Sequence, residues 1–236
     1  MTELLYQTDA YLREFDAVVT GIDEAQNGVL LDRTAFYPGG GGQPYDMGEM
    51  SFDGQTVTAR VKSVAKGNLH ILEGVLPAVG TAVHGALDWE RRYQLMRTHT
   101  AMHILCGVVW RDYGASVTGG EMNPLKGRMD FEFERMQREL VDEIEAKINA
   151  EVAAERDLRV QILPRDEAFQ IPDLIRTKIN LLPPGIPQVR TVEIVGLDLQ
   201  ADGGTHVANT REVGRLKISE YKSKGGINKR IYLDIE

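Results

Sequence analysis

Cysteine is nearly absent from this chain: Cys106 stands alone among 236 residues. A single thiol excludes an internal disulfide and fits a reducing compartment, so a cytoplasmic location is expected. Long apolar runs are missing as well. No uninterrupted stretch approaches the roughly 20 residues that a helix needs to cross a bilayer. The opening MTELLYQTDAYLREFD has no basic end followed by an apolar run, which argues against a secretory signal and a membrane role. Excess positive charge is lacking too, with 27 Lys and Arg against 35 Asp and Glu for a net charge of −8. Phosphate contacts dominate nucleic-acid affinity, so contact with nucleic acid would have to rest on local patches. Two patches exist. ERRYQLMR carries Arg91, Arg92 and Arg97, and KISEYKSKGGINKR carries Lys217, Lys222, Lys224, Lys229 and Arg230. Either alone reads first as solvated surface charge.

What is present is an ordinary globular composition, 42% hydrophobic and 26% charged, in a chain long enough to bury a sizeable core. The first ninety residues contain short β-prone runs: FDAVVTGI, GVLLD, MGEMSF, QTVTARVKSV, NLHILEG and TAVHGALD. Turn signals separate them at Gln26-Asn27-Gly28, Asp53-Gly54 and Lys66-Gly67-Asn68. Short strands at this spacing predict a small barrel or sandwich. The pattern then changes. From Asp88, an N-cap residue, to about Tyr113 there is no proline, and Leu95, Met102, Leu105 and Val109 recur at helical spacing. A second helix is predicted from about Met136 to Ala154, with Leu140, Ile144, Ile148 and Val152 on one stripe. RMDFEFE, LRVQIL, QVRTVEIV, VGRLKISEYK and KRIYLDI read as strands. The expectation is an α+β chain with a boundary near residue 90: a β domain over 1–90, then residues 91–236 with two long helices against a sheet.

Histidine is scarce, with five in the chain, and two of them stand four residues apart in THTAMHILC. His99 and His103 therefore project from one helix face, a turn apart, which suits two ligands of one tetrahedral ion. Alone such a pair is a weak signal. His206 strengthens it, because DGGTHVANT places Asp202 four residues ahead of His206 across two glycines that disfavour a continuous helix. A helical pair facing a loop pair would offer three nitrogens and one oxygen to an ion. Four protein ligands make a closed site; if Asp202 is not a ligand, water takes the fourth position. Cys106 lies three residues beyond His103 among apolar neighbours and reads as a buried, inert thiol. His70 and His84 fall in strand-like runs and read as ordinary core or surface residues.

TAFYPGGGGQPYDMG, residues 34–48, is the most irregular stretch of the first domain. It lacks the lysine and the Ser or Thr of a phosphate-binding loop, which argues against a mononucleotide site. Gln43 can donate and accept hydrogen bonds at a ligand, and the loop can equally be structural. No Ser-His-Asp arrangement or reactive-cysteine signature points to covalent catalysis.

HTAMH, the Gly-Gly-Thr-His-Val run and FYPGGGGQPYDMG occur in the order found in the alanyl-tRNA editing domain, and SKGGINKRIYLDI resembles that domain's basic end. Over about residues 12–235 the chain resembles the free-standing alanyl-tRNA editing proteins, the AlaX group, in its medium form with a glycine-rich N-terminal domain. There is no room for an aminoacylation domain. The resemblance implies a small N-terminal β-barrel and a metal-dependent editing domain. It implies hydrolysis of the ester joining a wrongly attached serine or glycine to the 3′ end of alanine tRNA, with correct alanyl-tRNA spared. It implies one zinc ion per chain on His99, His103 and His206, with a fourth ligand that is usually a cysteine at the position held here by Asp202. A carboxylate is a harder donor than a thiolate, so this departure predicts weaker or less selective zinc binding. Thr118, in ASVTGGEMNP, is the candidate reader of the serine hydroxyl, with Thr100 and Thr205 as rivals, and Gln43 is a further candidate catalytic residue. Arg91, Arg92, Arg97, Lys222, Lys224, Lys229 and Arg230 are the candidate phosphate contacts for tRNA. Two alternatives remain at this point: a metal-dependent deacylase of another mischarged tRNA or small ester, and a tRNA-binding module without turnover.

Overall fold

The computed structural model describes residues 2–176 and 185–236. They form two compact units, Met1–Gln94 and Leu95–Glu236, and the division falls inside a helix a few residues past position 90.

The first unit is a closed six-stranded barrel. A short parallel pair, β1 (Glu3–Leu4) and β4 (Arg33–Thr34), accompanies it. The barrel strands are β2 (Glu14–Asp23), β3 (Gly28–Leu31), β5 (Gly48–Phe52), β6 (Val57–Ala65), β7 (Leu69–Glu73) and β8 (Ala82–Leu87), joined in the order β2-β3-β7-β6-β5-β8. Alternation along β2 sends Phe15, Ala17 and Val19 inward, and Val29, Leu31, Phe36, Met50, Val61 and Val83 complete the core. Each such apolar side chain contributes about 1.5–3 kcal/mol when fully buried. The turns form where the sequence signals them. Asn27, Asp53 and Asn68 take φ of 51°, 53° and 61°, a left-handed backbone that Asn and Asp tolerate better than other side chains. Closure of the barrel depends on Gly48, where a Cβ would lie 2.1 Å from the carbonyl oxygen of Ala86 on the neighbouring β8.

The second unit is built around α1 (Trp89–Tyr113), which is buried nearly all round from Leu95 to Val109 and is therefore a core helix. A four-stranded antiparallel sheet, in the order β14-β15-β10-β9, contains β9 (Val117–Asn123), β10 (Lys126–Glu132), β14 (Leu216–Ser223) and β15 (Asn228–Ile235). Met102 of α1 packs on this sheet where it has no side chains in the way. A Cβ on Gly127 would meet the Met102 sulfur at 3.0 Å, and one on Gly120 its terminal carbon at 3.2 Å. The second long helix, α2 (Arg138–Ala153), buries Val141, Ile144 and Ile148. Its apolar stripe is rotated from the expected one: Leu140 and Val152 are only half-buried, and Glu151 is buried instead, receiving Arg111 and Arg156 at 2.5 Å each.

A separate three-stranded antiparallel sheet, β11-β12-β13, carries the remaining strands: β11 (Leu158–Pro164), β12 (Gln188–Ile194) and β13 (Asp198–Ala201), with the short helix α3 (Arg165–Ala168) after β11. The chain is thus α+β as its pattern indicates, with a barrel followed by two helices and antiparallel sheets. Four strands escape the sequence pattern, among them the two-residue β1 and β4. β9 contains a glycine pair and little alternation, and β13 has only four residues.

Candidate metal centre

Helix α1 supplies His99 and His103 one turn apart. The other two polar groups arrive from the loop that follows β13. Its first residue, Asp202, is held at both ends of its backbone by Arg190 of β12: Asp202 N–H donates to the Arg190 carbonyl at 3.1 Å, and Arg190 Nη1 donates to the Asp202 carbonyl at 2.9 Å. The Asp202 carboxylate then accepts the Gly204 N–H at 2.8 Å, turning the chain. Neither Gly203 nor Gly204 has a positive φ, so the aspartate side chain makes the turn without left-handed backbone. The turn brings His206 Nε2 to 2.9 Å from Asp202 Oδ2, and His99 Nε2 lies 3.5 Å from Asp202 Oδ1.

The result is a compact cluster. One donor atom from each of His99, His103, Asp202 and His206 lies within 4.8 Å of the others. The His99 and His206 rings stack with centroids 4.2 Å apart, and His103 meets His206 edge-on at 4.7 Å. All three histidines are buried. Burial above all, then the neighbouring imidazoles, holds His99 well below its ordinary pKa, and burial brings His206 down to about 4. Burial opposes ionisation of Asp202, but the surrounding imidazoles outweigh it and keep its carboxyl well below the usual range. On His103 burial pulls down, and the hydrogen bond and charge of Asp198 outweigh it, so that ring stands above its ordinary value.

Two neutral imidazoles beside an ionised carboxylate are part of the donor state that a divalent cation requires, and His103 would shed a proton to join them. Nitrogen and oxygen at 2.9 Å, His206 Nε2 and Asp202 Oδ2, also need a proton or a cation between them. Three imidazoles and one carboxylate in tetrahedral number fit zinc or another borderline divalent ion.

Two of the three rings are oriented from behind. His206 Nδ1 lies 3.2 Å from the Thr100 hydroxyl, which also accepts the Val207 N–H at 3.3 Å. Thr100 is therefore engaged in holding His206 and is not placed to read a substrate hydroxyl. His103 Nδ1 lies 3.1 Å from Asp198 Oδ2, and Gln200 Nε2 donates to that same oxygen at 2.6 Å. Asp198, Gln200 and Arg190 were not foreseen. The signal that could have found two of them is the alternation Asp198-x-Gln200-x-Asp202, polar residues that share one face of an extended segment.

The other candidates fall out differently. Thr118 is exposed on β9, its hydroxyl donating to Asn228 Oδ1 at 3.1 Å. Gln43 belongs to the barrel unit, buried in the glycine loop, where its backbone pairs with that of Gly40 at 2.9 and 3.0 Å. Arg92 is a correction. It is 0% exposed, fully engaged with the Asp46 carboxylate and the carbonyls of Ala10 and Ala35, and has no face to offer a phosphate. Lys229 is a second correction, buried with its ammonium on the Gly226 carbonyl. Arg97 clamps the carbonyls of Val213 and Glu236, each at 2.9 Å, and Arg230 forms a two-pronged pair with Asp130 at 2.6 and 2.7 Å. Arg91 is half-buried and donates to the Tyr45 carbonyl, while Lys222 and Lys224 are exposed. Cys106 is buried, and burial pushes its thiol up, as expected of an inert side chain. Among the described residues no helix is long and apolar enough to cross a membrane.

Comparison with known proteins gives the chain's family. The family model described as threonyl and alanyl tRNA synthetase second additional domain matches residues 189–232, the segment that contains Asp202 and His206. A second, described as tRNA synthetases class II (A), matches residues 6–91. An alanyl-tRNA editing protein AlaX-M from Saccharolobus solfataricus is 40% identical over 243 residues, covering all of both chains. The AlaX-M protein of Methanosarcina acetivorans is 36% identical over 244 residues, 100% of this chain and 99% of its own. The alanine–tRNA ligase of Pyrococcus furiosus is 40% identical over 225 residues, which is 92% of this chain but 24% of that larger protein. With full-length identity at this level to proteins of its own size, the chain belongs to the AlaX-M family of alanyl-tRNA editing proteins.

Proposed function

We propose that this protein is a trans-editing hydrolase that removes wrongly attached serine or glycine from mischarged alanine tRNA, with one zinc ion held by His99, His103, Asp202 and His206. The observation that carries the reading is the buried four-residue cluster with donor atoms within 4.8 Å of one another, in a chain that aligns end to end with alanyl-tRNA editing proteins. A zinc ion in that position supplies Lewis acidity for ester hydrolysis or an anchor for the amino acid. The protein's own part is to present His99 and His206 as neutral imidazoles, to hold the Asp202 backbone through Arg190, and to bury the histidines so that electrostatic contacts act at short range.

Serine differs from alanine by one hydroxyl, and a polar group that hydrogen-bonds this hydroxyl favours the serine ester strongly. Thr118 and Gln43 are the residues proposed for contacts with the substrate. Lys222, Lys224 and Arg91 are proposed for phosphate contacts, since Arg92 and Lys229 are buried. The net charge of −8 favours transient, salt-sensitive engagement of tRNA over tight storage. The test is single-turnover release of serine from seryl-tRNA for alanine, with alanyl-tRNA as control and chelator-treated protein as a parallel arm. Fast serine release, lost on chelation and absent for the alanyl ester, is expected. Release that survives complete removal of metal would overturn the zinc reading. Binding of tRNA with zinc present and no release would leave a binding module.

A further inference from the structure

The carboxylate of Asp198 is wholly buried. Its Oδ2 lies 3.1 Å from His103 Nδ1 and accepts Gln200 Nε2 at 2.6 Å. Its Oδ1 has no hydrogen-bond partner among the described residues, and Arg176 Nε approaches it only to 3.6 Å. A buried charge is retained where its hydrogen bonds are needed, and the hydrogen bonds of Asp198 run toward His103 and not toward the nearby guanidinium. Helix α1 is shaped for this contact. Gly107 stands one turn beyond His103 on the same helix face, and a Cβ there would lie 3.0 Å from Asp198 Cβ and 2.9 Å from Leu197 Cγ. The missing side chain lets the start of β13 lie against the helix beside the imidazole.

We propose that Asp198 is the positioning residue of the metal centre: by accepting the Nδ1 proton of His103 it fixes that ring's tautomer and angle, leaving Nε2 as the nitrogen offered to the cation. Gln200 and the Gly107 notch keep the carboxylate in place for this purpose. The inference rests on the metal reading of the four-residue cluster and adds a residue outside it. Removing the carboxylate partner of a ligating histidine weakens metal binding about 10–100-fold.

The test measures zinc affinity of the metal-free wild type and of Asp198→Asn by competition with a chromophoric chelator. Imidazole nitrogen spectra of the zinc-loaded wild type run alongside. The expected result is stoichiometric zinc in the wild type and about 10–100-fold weaker binding in Asp198→Asn. The spectra should show His103 bound through Nε2 with a hydrogen-bonded Nδ1 proton. An affinity in Asp198→Asn within twofold of wild type would overturn the inference while the metal reading stands. Wild-type protein that binds no zinc would overturn the metal reading itself, and this inference with it. Should Asp198→Asn fail to fold, the wild-type spectrum decides alone, since His103 coordinating through Nδ1 is incompatible with the assignment.

Discussion

In the barrel unit, the Arg92 guanidinium is surrounded by acceptors: both oxygens of Asp46 and the carbonyls of Ala10 and Ala35, while Asp46 also takes the Tyr37 N–H at 2.6 Å. One cation meets one anion and the remaining donors and acceptors are matched. In the second unit, three imidazoles face one carboxylate, two of them held neutral by burial and by one another. Arg190 Nη1 stands 3.7 Å from Asp202 Oδ2, so this group gathers lone pairs beside a cation and not around one. Both clusters are polar and largely buried, but the first pairs one charge with another, whereas the second gathers donor atoms that a divalent cation would take. The contrast separates a polar group that holds a loop from one proposed to hold a ligand, a distinction that burial alone does not make.

The comparison can be broken most sharply at His103. His103→Ala is expected to abolish stoichiometric zinc, read by elemental analysis, and to slow serine release ~10³-fold or more. Full zinc retention would mean that the second cluster is as self-contained as the first. Next in size is Arg92→Ala, which strands the buried Asp46 carboxylate and should cost about 3–5 kcal/mol of stability in denaturant unfolding. Zinc content should not change. Loss of zinc with little change in stability would reverse the roles assigned to the two clusters.

A smaller effect comes from His70, a buried barrel histidine that lies 2.8 Å from the Thr34 hydroxyl and 3.2 Å from the Val29 carbonyl. Burial lowers it to about 4. The fold therefore favours the neutral ring, whereas the unfolded chain takes up a proton near pH 6.5. Stability is complete above that pH and falls as the pH drops from 6.5 toward 4, by about 2 kcal/mol at pH 5. Comparing wild type with His70→Gln at pH 7 and pH 5 measures it, and an identical pH dependence in the two proteins would refute the assignment. The smallest effect expected is in Asp202→Cys. Exchange of the hard oxygen for a thiolate should tighten zinc about tenfold, or ~1.4 kcal/mol, in chelator competition. Unchanged or weaker binding would remove Asp202 from the ligand set.

Much of this was legible beforehand because it is written in local patterns. The barrel strands follow β-prone runs bounded by Asn-Gly and Asp-Gly turns, and His99 and His103 are a turn apart on any helix. The misread positions share a different cause. Arg92 looked like a surface charge because nothing in ERRYQLMR announces that Asp46, 46 residues earlier, folds back to receive it. Glu151 replaced the expected apolar edge of α2 because Arg111, 40 residues earlier, reaches it and Arg156, just past the helix end, joins it. Asp198 was invisible because β13 is too short for its alternation to stand out from the loop that follows. Long-range pairing of charge leaves no periodic trace in a sequence.

Gly107 illustrates what that means for reading variation in such a protein. It bears no donor, acceptor or charge, and its backbone is ordinary helix, where alanine would normally be the better residue. Yet in a saturation scan of α1 scored for retained editing, position 107 should be among the least permissive, grouping with His99 and His103. Ranking residues by the chemistry of their side chains would pass over it, because its contribution is the room it leaves beside His103.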